Sequence, residues 1–336
     1  MKITRAVCWV ALILACSCMV WADPVSGTLF YTTFQGGNNV HKVDFNYDGG
    51  TTFTLGPSID IAATNGADGL LFAPDGNLLV AGQGFNLTEV STGGAIVKTV
   101  NPGNPSFHLA LNGDGSLVYS LWNGGGGAPI GASPLIGGGL STNGTPYSVS
   151  CAPGTACSTD VRGVILDTTN NTWYYGTAFD GDINGQFGSV VFDDILHTAV
   201  LTPILFDVPA HGLTFDPFTN DIIFSSQNVI DQFNPVTGTI VSTLNGPGNF
   251  DQSAVDGKGH LFVASNSGFL EFADYRATGL IGTPTFTASP FLAPALDDIA
   301  PLSGLGGGGQ VPEPSSILLF GTALAVVGYR LRKRAA

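Results

Sequence analysis

Apolar and polar positions along this chain fall into a repeating unit: a Gly or other small residue, a short apolar run, a turn of Asp, Asn, Pro or Gly, and a second apolar run. It reads Gly69-Leu-Leu-Phe72-Ala-Pro-Asp75-Gly76-Asn77-Leu-Leu-Val80, and recurs at 108–119, 163–174, 212–224 and 253–263. Apolar runs this short, bounded by turn formers, predict strands paired as hairpins. One hairpin cannot bury its own face, so hairpins recurring every ~40–55 residues predict stacked blades around a shared core. Phe85 to Val90 and Ala95 to Val100 read as the third and fourth strands of one blade. Thr28 to Phe34, Asn39 to Phe45 and Thr51 to Leu55 read as the second, third and fourth strands of a blade without its first, and Asp298 to Leu302 as a lone first strand. Joining these two ends closes a ring and leaves no open sheet edge. The predicted fold is therefore all-β: a propeller of about six blades with Velcro closure. A two-sheet sandwich of regular hairpins is the alternative.

Composition agrees with strands and turns. The chain has 47 glycines and 20 prolines, and its body acids are almost all Asp, a turn former, with Glu only at Glu89 and Glu271. Six of the eleven Lys and Arg sit in the terminal segments with only one acid, so the body between them carries a net charge of about −19. Such a surface repels nucleic acid and anionic lipid and attracts divalent cations or basic partners.

Each terminus predicts export. Lys2 and Arg5 precede an apolar stretch from Val7 to Val20, and Val20-Trp21-Ala22 suits cleavage after Ala22, making 1–22 a signal peptide. A loose lipobox, Ile13-Leu14-Ala15-Cys16, offers a rival cut that would leave a lipid on Cys16. At the other end stand Pro312-Glu313-Pro314, an apolar run from Ile317 to Val327, and a basic stop of Arg330, Arg332, Lys333 and Arg334. That run, with snorkelling arginines, is just long enough for a single transmembrane helix. The arrangement resembles the PEP-CTERM sorting signal. The resemblance implies processing by a membrane-embedded exosortase and delivery to the cell envelope or beyond. The expected organisation is a signal peptide over 1–22, a propeller over 23–304, a Gly-rich linker over 305–310 and a sorting and anchor segment over 311–336. The hairpin type at 69–80 resembles the broad NHL, gluconolactonase and streptogramin-lyase-like propellers. That likeness implies a blade and no activity, because the metal-binding motifs of those enzymes cannot be placed here.

Candidate chemistry is of three kinds. Residues just before each innermost strand converge on the channel of a propeller, which selects Asp68, Phe107 or His108, Arg162, His211, Asp251 and Asp297 as channel-lining and candidate ligand residues. Asp180, Asp182 and Asn184, and likewise Asp44, Asn46 and Asp48, place oxygens at alternate positions before a Gly, as a Ca2+ loop opens, although neither has the closing acid of an EF-hand. Any hairpin turn uses the same residues. Cys151 and Cys157, spaced around a Pro-Gly turn, predict a small disulfide in an exported chain. Trp122, Trp173, Phe179 and Phe187 could stack on sugars at a blade rim or wedge blades together. Nucleophile elbows, zinc-protease helices and phosphate loops are absent from the sequence. Two functions remain: an envelope-directed binding or structural propeller contacting exopolysaccharide or an envelope protein, and a metal-dependent lactonase- or lyase-like enzyme with its metal in the channel.

Overall fold

The computed structural model describes residues 24–34, 37–84, 86–121, 129–142, 144–179 and 181–301. All lie in the first of two units, Met1–Gly306 and Gly307–Ala336. They are strands and turns without helix, arranged as six blades.

The closing blade 1 joins the two ends of the body. Its innermost strand is Leu296–Pro301, paired antiparallel with Val25–Thr33, which pairs with Gly37–Tyr47. Successive stretches of the latter then take Phe53–Leu55 and Ile59–Thr64 as outer partners. Blade 2 is Leu70–Phe72, Leu78–Val80, Leu87–Val90 and Ile96–Val100. Blade 3 is Ser106–Leu111, Leu117–Leu121, Ile130–Ser133 and Thr145–Cys151, and blade 4 is Gly163–Asp167, Thr172–Gly176, Gly185–Asp193 and Thr198–Val208.

Blades 5 and 6 share two long bent strands. Asp221–Asn234 turns at Gln227, whose φ is +51°, and Gln232 and Asn234 hydrogen-bond back to Asp221, so its arms act as second and third strands beside Gly212–Asp216. Thr239–Val255 supplies the outer strand of blade 5 with its first arm and the innermost strand of blade 6 with its second. His260–Ser265, Leu270–Asp274 and Phe286–Ala288 complete blade 6. The six innermost strands adjoin one another in a closed cycle.

The core follows this geometry. Buried apolar residues among those described fall into six clusters, one at each junction between neighbouring blades. Both faces of an inner strand meet a neighbour, so strands such as Gly212–Asp216 are buried throughout and read as apolar runs without strict alternation. Aromatic rings fill two of the junctions. Between blades 4 and 5, Tyr174 and Phe187 meet Phe224 and Phe233; between blades 6 and 1, Phe262 and Phe272 meet Phe45, Tyr47 and Phe53. Trp173 and Phe187 are thus wedges between blades.

Two features depart from four regular strands per blade. Thr145–Cys151 pairs in parallel with Thr198–Val208, so the outer edge of blade 3 is sealed against blade 4. A two-strand hairpin, Leu135–Ile136 and Gly139–Leu140, packs on blade 2, where the buried Glu89 accepts from the Leu140 amide at 2.6 Å and from Asn77 at 2.7 Å. Beside the parallel seam, Cys151 and Cys157 form the expected disulfide, with their Cα atoms 5.7 Å apart.

One buried acid gives the stability a definite pH dependence. Burial raises the pKa of Asp231 above its ordinary 3.8, against the opposing hydrogen bond from Thr243. The neutral form therefore stabilises the fold fully below the unfolded value, and that contribution is lost as pH rises through the higher folded value. Asp231→Asn keeps an acceptor for Thr243 and does not titrate. Thermal melts are expected to show a larger gain in Tm for this variant at pH 8 than at pH 4; equal gains would contradict the assignment.

Candidate functional site

Closing the ring brings the ends of six inner strands to one axis. Asp68, Phe107, Arg162, His211, Asp251 and Asp297 line a single cavity of about 440 Å³, joined by Phe34, Gln83, Phe179, Asn266 and Ala295. The choice between Phe107 and His108 resolves into two roles. Phe107 lines the cavity, and His108 is buried out of its lining, its ring 4.7 Å from that of His211 in an edge-on contact.

Glycines set how closely the inner strands approach. A Cβ on Gly69 would stand 2.3 Å from the carbonyl oxygen of Phe107, one on Gly163 2.5 Å from that of His211, and one on Gly212 2.2 Å from that of Asp251. The small residue that opens these repeats thus gives room for the channel residue of the next blade. Chain spacing and channel chemistry are coupled by this contact.

Polar contacts in the channel are dense. His211 Nδ1 lies 2.8 Å from the Ala178 carbonyl, an acceptor only, so this nitrogen carries the hydrogen and Nε2 points at Asp251 Oδ1, 2.9 Å away. His108 Nε2 lies 3.6 Å from the same oxygen, and its Nδ1 3.7 Å from Asp298 Oδ1. Gln83 donates to Asp68. Arg162 pairs with Asp160 at 2.8 Å and stacks 3.6 Å over the Phe179 ring, while its Nε is buried without a hydrogen-bond partner among the described residues.

Burial separates the ionisation of these groups. It drives the pKa of His108 down to about 3, helped by His211 and Arg162 against the pull of Asp251, so the ring is neutral. For Asp251 burial opposes ionisation, but the contact with His211 and attraction to it outweigh burial and hold its pKa below the usual carboxylate range. Asp297 and Asp298 are pushed well above that range, first by burial and then by the neighbouring carboxylates. Asp251 thus stays a carboxylate beside neutral Asp297, neutral Asp298 and the neutral His108 ring.

The sequence reading did not place Asp298, Gln83, Asn266, Phe34 or Phe179 at this site. An Asp doublet heading the last strand was the available signal for Asp298; the others come from loops whose reach depends on blade geometry. Asp44, Asn46, Asp48, Asp182 and Asn184 are not among the residues that line the cavity. Asp48 Oδ1 accepts from the amides of Gly50, Thr51 and Thr52, Asp44 accepts from Thr28, and Asp182 accepts from the amide and side chain of Asn184. Asp180 and Trp122 lie outside the described residues.

Residues 310–334 match the family model of the PEP-CTERM protein-sorting motif. The chain carries a PEP-CTERM sorting signal. The signal marks an exported, envelope-associated protein processed by an exosortase. The N-terminal signal segment, the rival cut at Cys16, the linker and the apolar run from Ile317 to Val327 lie outside the described residues. Among the described residues no helix is long and apolar enough to cross a membrane.

No curated protein is significantly similar to the chain in sequence. Among solved structures, a chain of the nidogen/laminin complex matches with a TM-score of 0.58 at 15% identity, over 82% of this chain and 97% of that one. The PQQ-bound aldose sugar dehydrogenase of Streptomyces coelicolor matches with a TM-score of 0.49 at 12% identity, over 84% and 90%. A Bacteroides fragilis protein assigned as a 6-phosphogluconolactonase matches with a TM-score of 0.48 at 12% identity, over 80% and 83%. At such identities the likeness is one of fold alone.

Proposed function

We propose that this PEP-CTERM protein is an envelope-associated binding propeller that receives a hydroxyl-rich ligand, the end unit of a neutral extracellular saccharide, in the mouth of its channel. The lining of the cavity carries this reading. Phe34 and Phe179 are about half exposed there, offering ring faces for the C–H surface of a sugar. Beside them stand the Arg162 guanidinium and the Asp297 carboxyl, whose buried Nε and Oδ2 have no hydrogen-bond partner among the described residues. Exposed ring faces with polar groups converging beside them, in a cavity of this size, are the usual makeup of a small-molecule site. The acidic body disfavours phosphorylated or sulfated polymers.

Calorimetric titration with neutral oligosaccharides released from the extracellular polymer tests this. Saturable heat is expected for the wild type, with affinity about fivefold weaker in Phe179→Ala, since an aromatic contact contributes about 1 kcal/mol. No heat with any saccharide, or equal affinity in the variant, would contradict it.

A second reading, a metal-dependent hydrolase or lyase, is favoured by one observation: His108, His211 and Asp251 are gathered in one buried cluster. A chelator-sensitive activity on lactones would support that reading, and protein free of metal would end it.

A further inference from the structure

We infer that His108, His211 and Asp251 form a three-ligand site for one divalent transition-metal ion, with its open coordination positions toward the channel cavity. The inference does not depend on the saccharide reading; the hydrolytic reading depends on it.

Three features of the geometry converge. First, the donor atoms come from three separate inner strands or their leading turns, yet all lie within 4.8 Å of one another. Both imidazole Nε2 atoms face the same oxygen, Asp251 Oδ1, at 2.9 and 3.6 Å. Donors bound at about 2.0–2.1 Å around a tetrahedral ion stand about 3.4 Å apart, so the His211–Asp251 pair would open by about 0.5 Å and the His108–Asp251 pair close by about 0.2 Å. Second, His108 is fully buried with neither nitrogen in a hydrogen bond. Buried polar atoms of this kind are rare, and a cation at Nε2 would supply a partner there. Third, the outer contact of His211 is that of a metal-bound imidazole. His211 donates Nδ1–H to the Ala178 carbonyl, and His108 Nδ1 faces Asp298, so each ring is oriented to present Nε2 inward. Two imidazoles and a carboxylate suit zinc or iron(II) better than the all-oxygen shell of calcium. His211 and Asp251 reach the cavity wall while His108 does not, which leaves the exposed side of such an ion to water or ligand.

The test uses full-length protein without a polyhistidine tag, stripped with chelator and titrated with Zn2+ and, separately, Co2+. One zinc per chain is expected, together with a visible Co2+ spectrum of four- or five-coordinate form. His108→Ala, His211→Ala and Asp251→Asn are each expected to weaken zinc binding more than ~100-fold, Asp298→Asn by about tenfold, and Asp182→Asn not at all. X-ray absorption of zinc-loaded wild type is expected to show two imidazoles and one carboxylate, a readout that needs no variant to fold. Substoichiometric zinc, an octahedral aqua-type Co2+ spectrum, or undiminished binding in the His variants would overturn the inference. Zinc without saccharide binding would remove only the saccharide reading; saccharide binding without zinc would remove only the metal.

Discussion

Phe272→Ala is expected to lower the unfolding free energy by about 3–5 kcal/mol, a drop in Tm of roughly 10 °C for a body of this size. The ring is fully buried and sits where the last complete blade meets the closing one. It stacks on Phe53 at 4.4 Å, and meets Tyr47 at 5.0 Å and Phe286 at 6.2 Å, with Phe262 and His260 also in contact. Truncation leaves a cavity that the five surrounding rings cannot collapse to fill, and it removes packing from the seam that holds the ends of the body together. Chemical denaturation is the check. A loss below 1 kcal/mol would show that this junction does not fix the ring.

Gly212→Ala is expected to cost about 3 kcal/mol and to abolish zinc or saccharide binding in the channel. One methyl group is added, so hydrophobicity alone would predict little change. Its Cβ would stand 2.2 Å from the Asp251 carbonyl oxygen and 2.9 Å from Gln252 Cα, backbone atoms that no side-chain rotation can move. The neighbouring inner strand must retreat, carrying Asp251 away from His211. Gly76→Ala is the control: its φ of +89° makes the change unfavourable, yet nothing lies within 4 Å of the new Cβ. A loss of about 1 kcal/mol with channel binding intact is expected there. Paired denaturation and binding measurements separate the two, and matching behaviour would contradict the close-approach argument.

Much of the architecture was legible because one physical constraint repeats. Each inner strand is squeezed between neighbours, so it must be apolar on both faces and open with a small residue. That signature located Gly69, Gly163 and Gly212, and the residues before them gave Asp68, Arg162 and His211. The ring closure was legible for the same reason: an orphan strand at each end can be satisfied only by the other. What could not be read depends on distances across the ring. The deeper position of His108 against Asp251 and Asp298, the loop-borne Phe34 and Phe179, and the parallel seam between Thr145–Cys151 and Thr198–Val208 have no local pattern. Continuous strands such as Thr239–Val255 were hidden because the turn between their arms, Asn245-Gly246-Pro247-Gly248, reads as an ordinary loop. The Asp- and Asn-rich loops illustrate the converse, since one composition serves both to coordinate cations and to cap turns.

Everything at the channel rests on Leu296–Pro301 completing the blade begun by Val25–Thr33, because that strand carries Asp297 and Asp298 to the axis. Hydrogen exchange read by mass spectrometry tests this pairing directly, comparing a chain ended after Pro301 with one ended after Ala295. Amides of Leu29–Thr33 that face Leu296–Pro301 are expected to be protected in the longer chain and to exchange rapidly in the shorter one. Equal protection in both would mean that the terminal strands do not hold each other, and the account of the channel would fail with them.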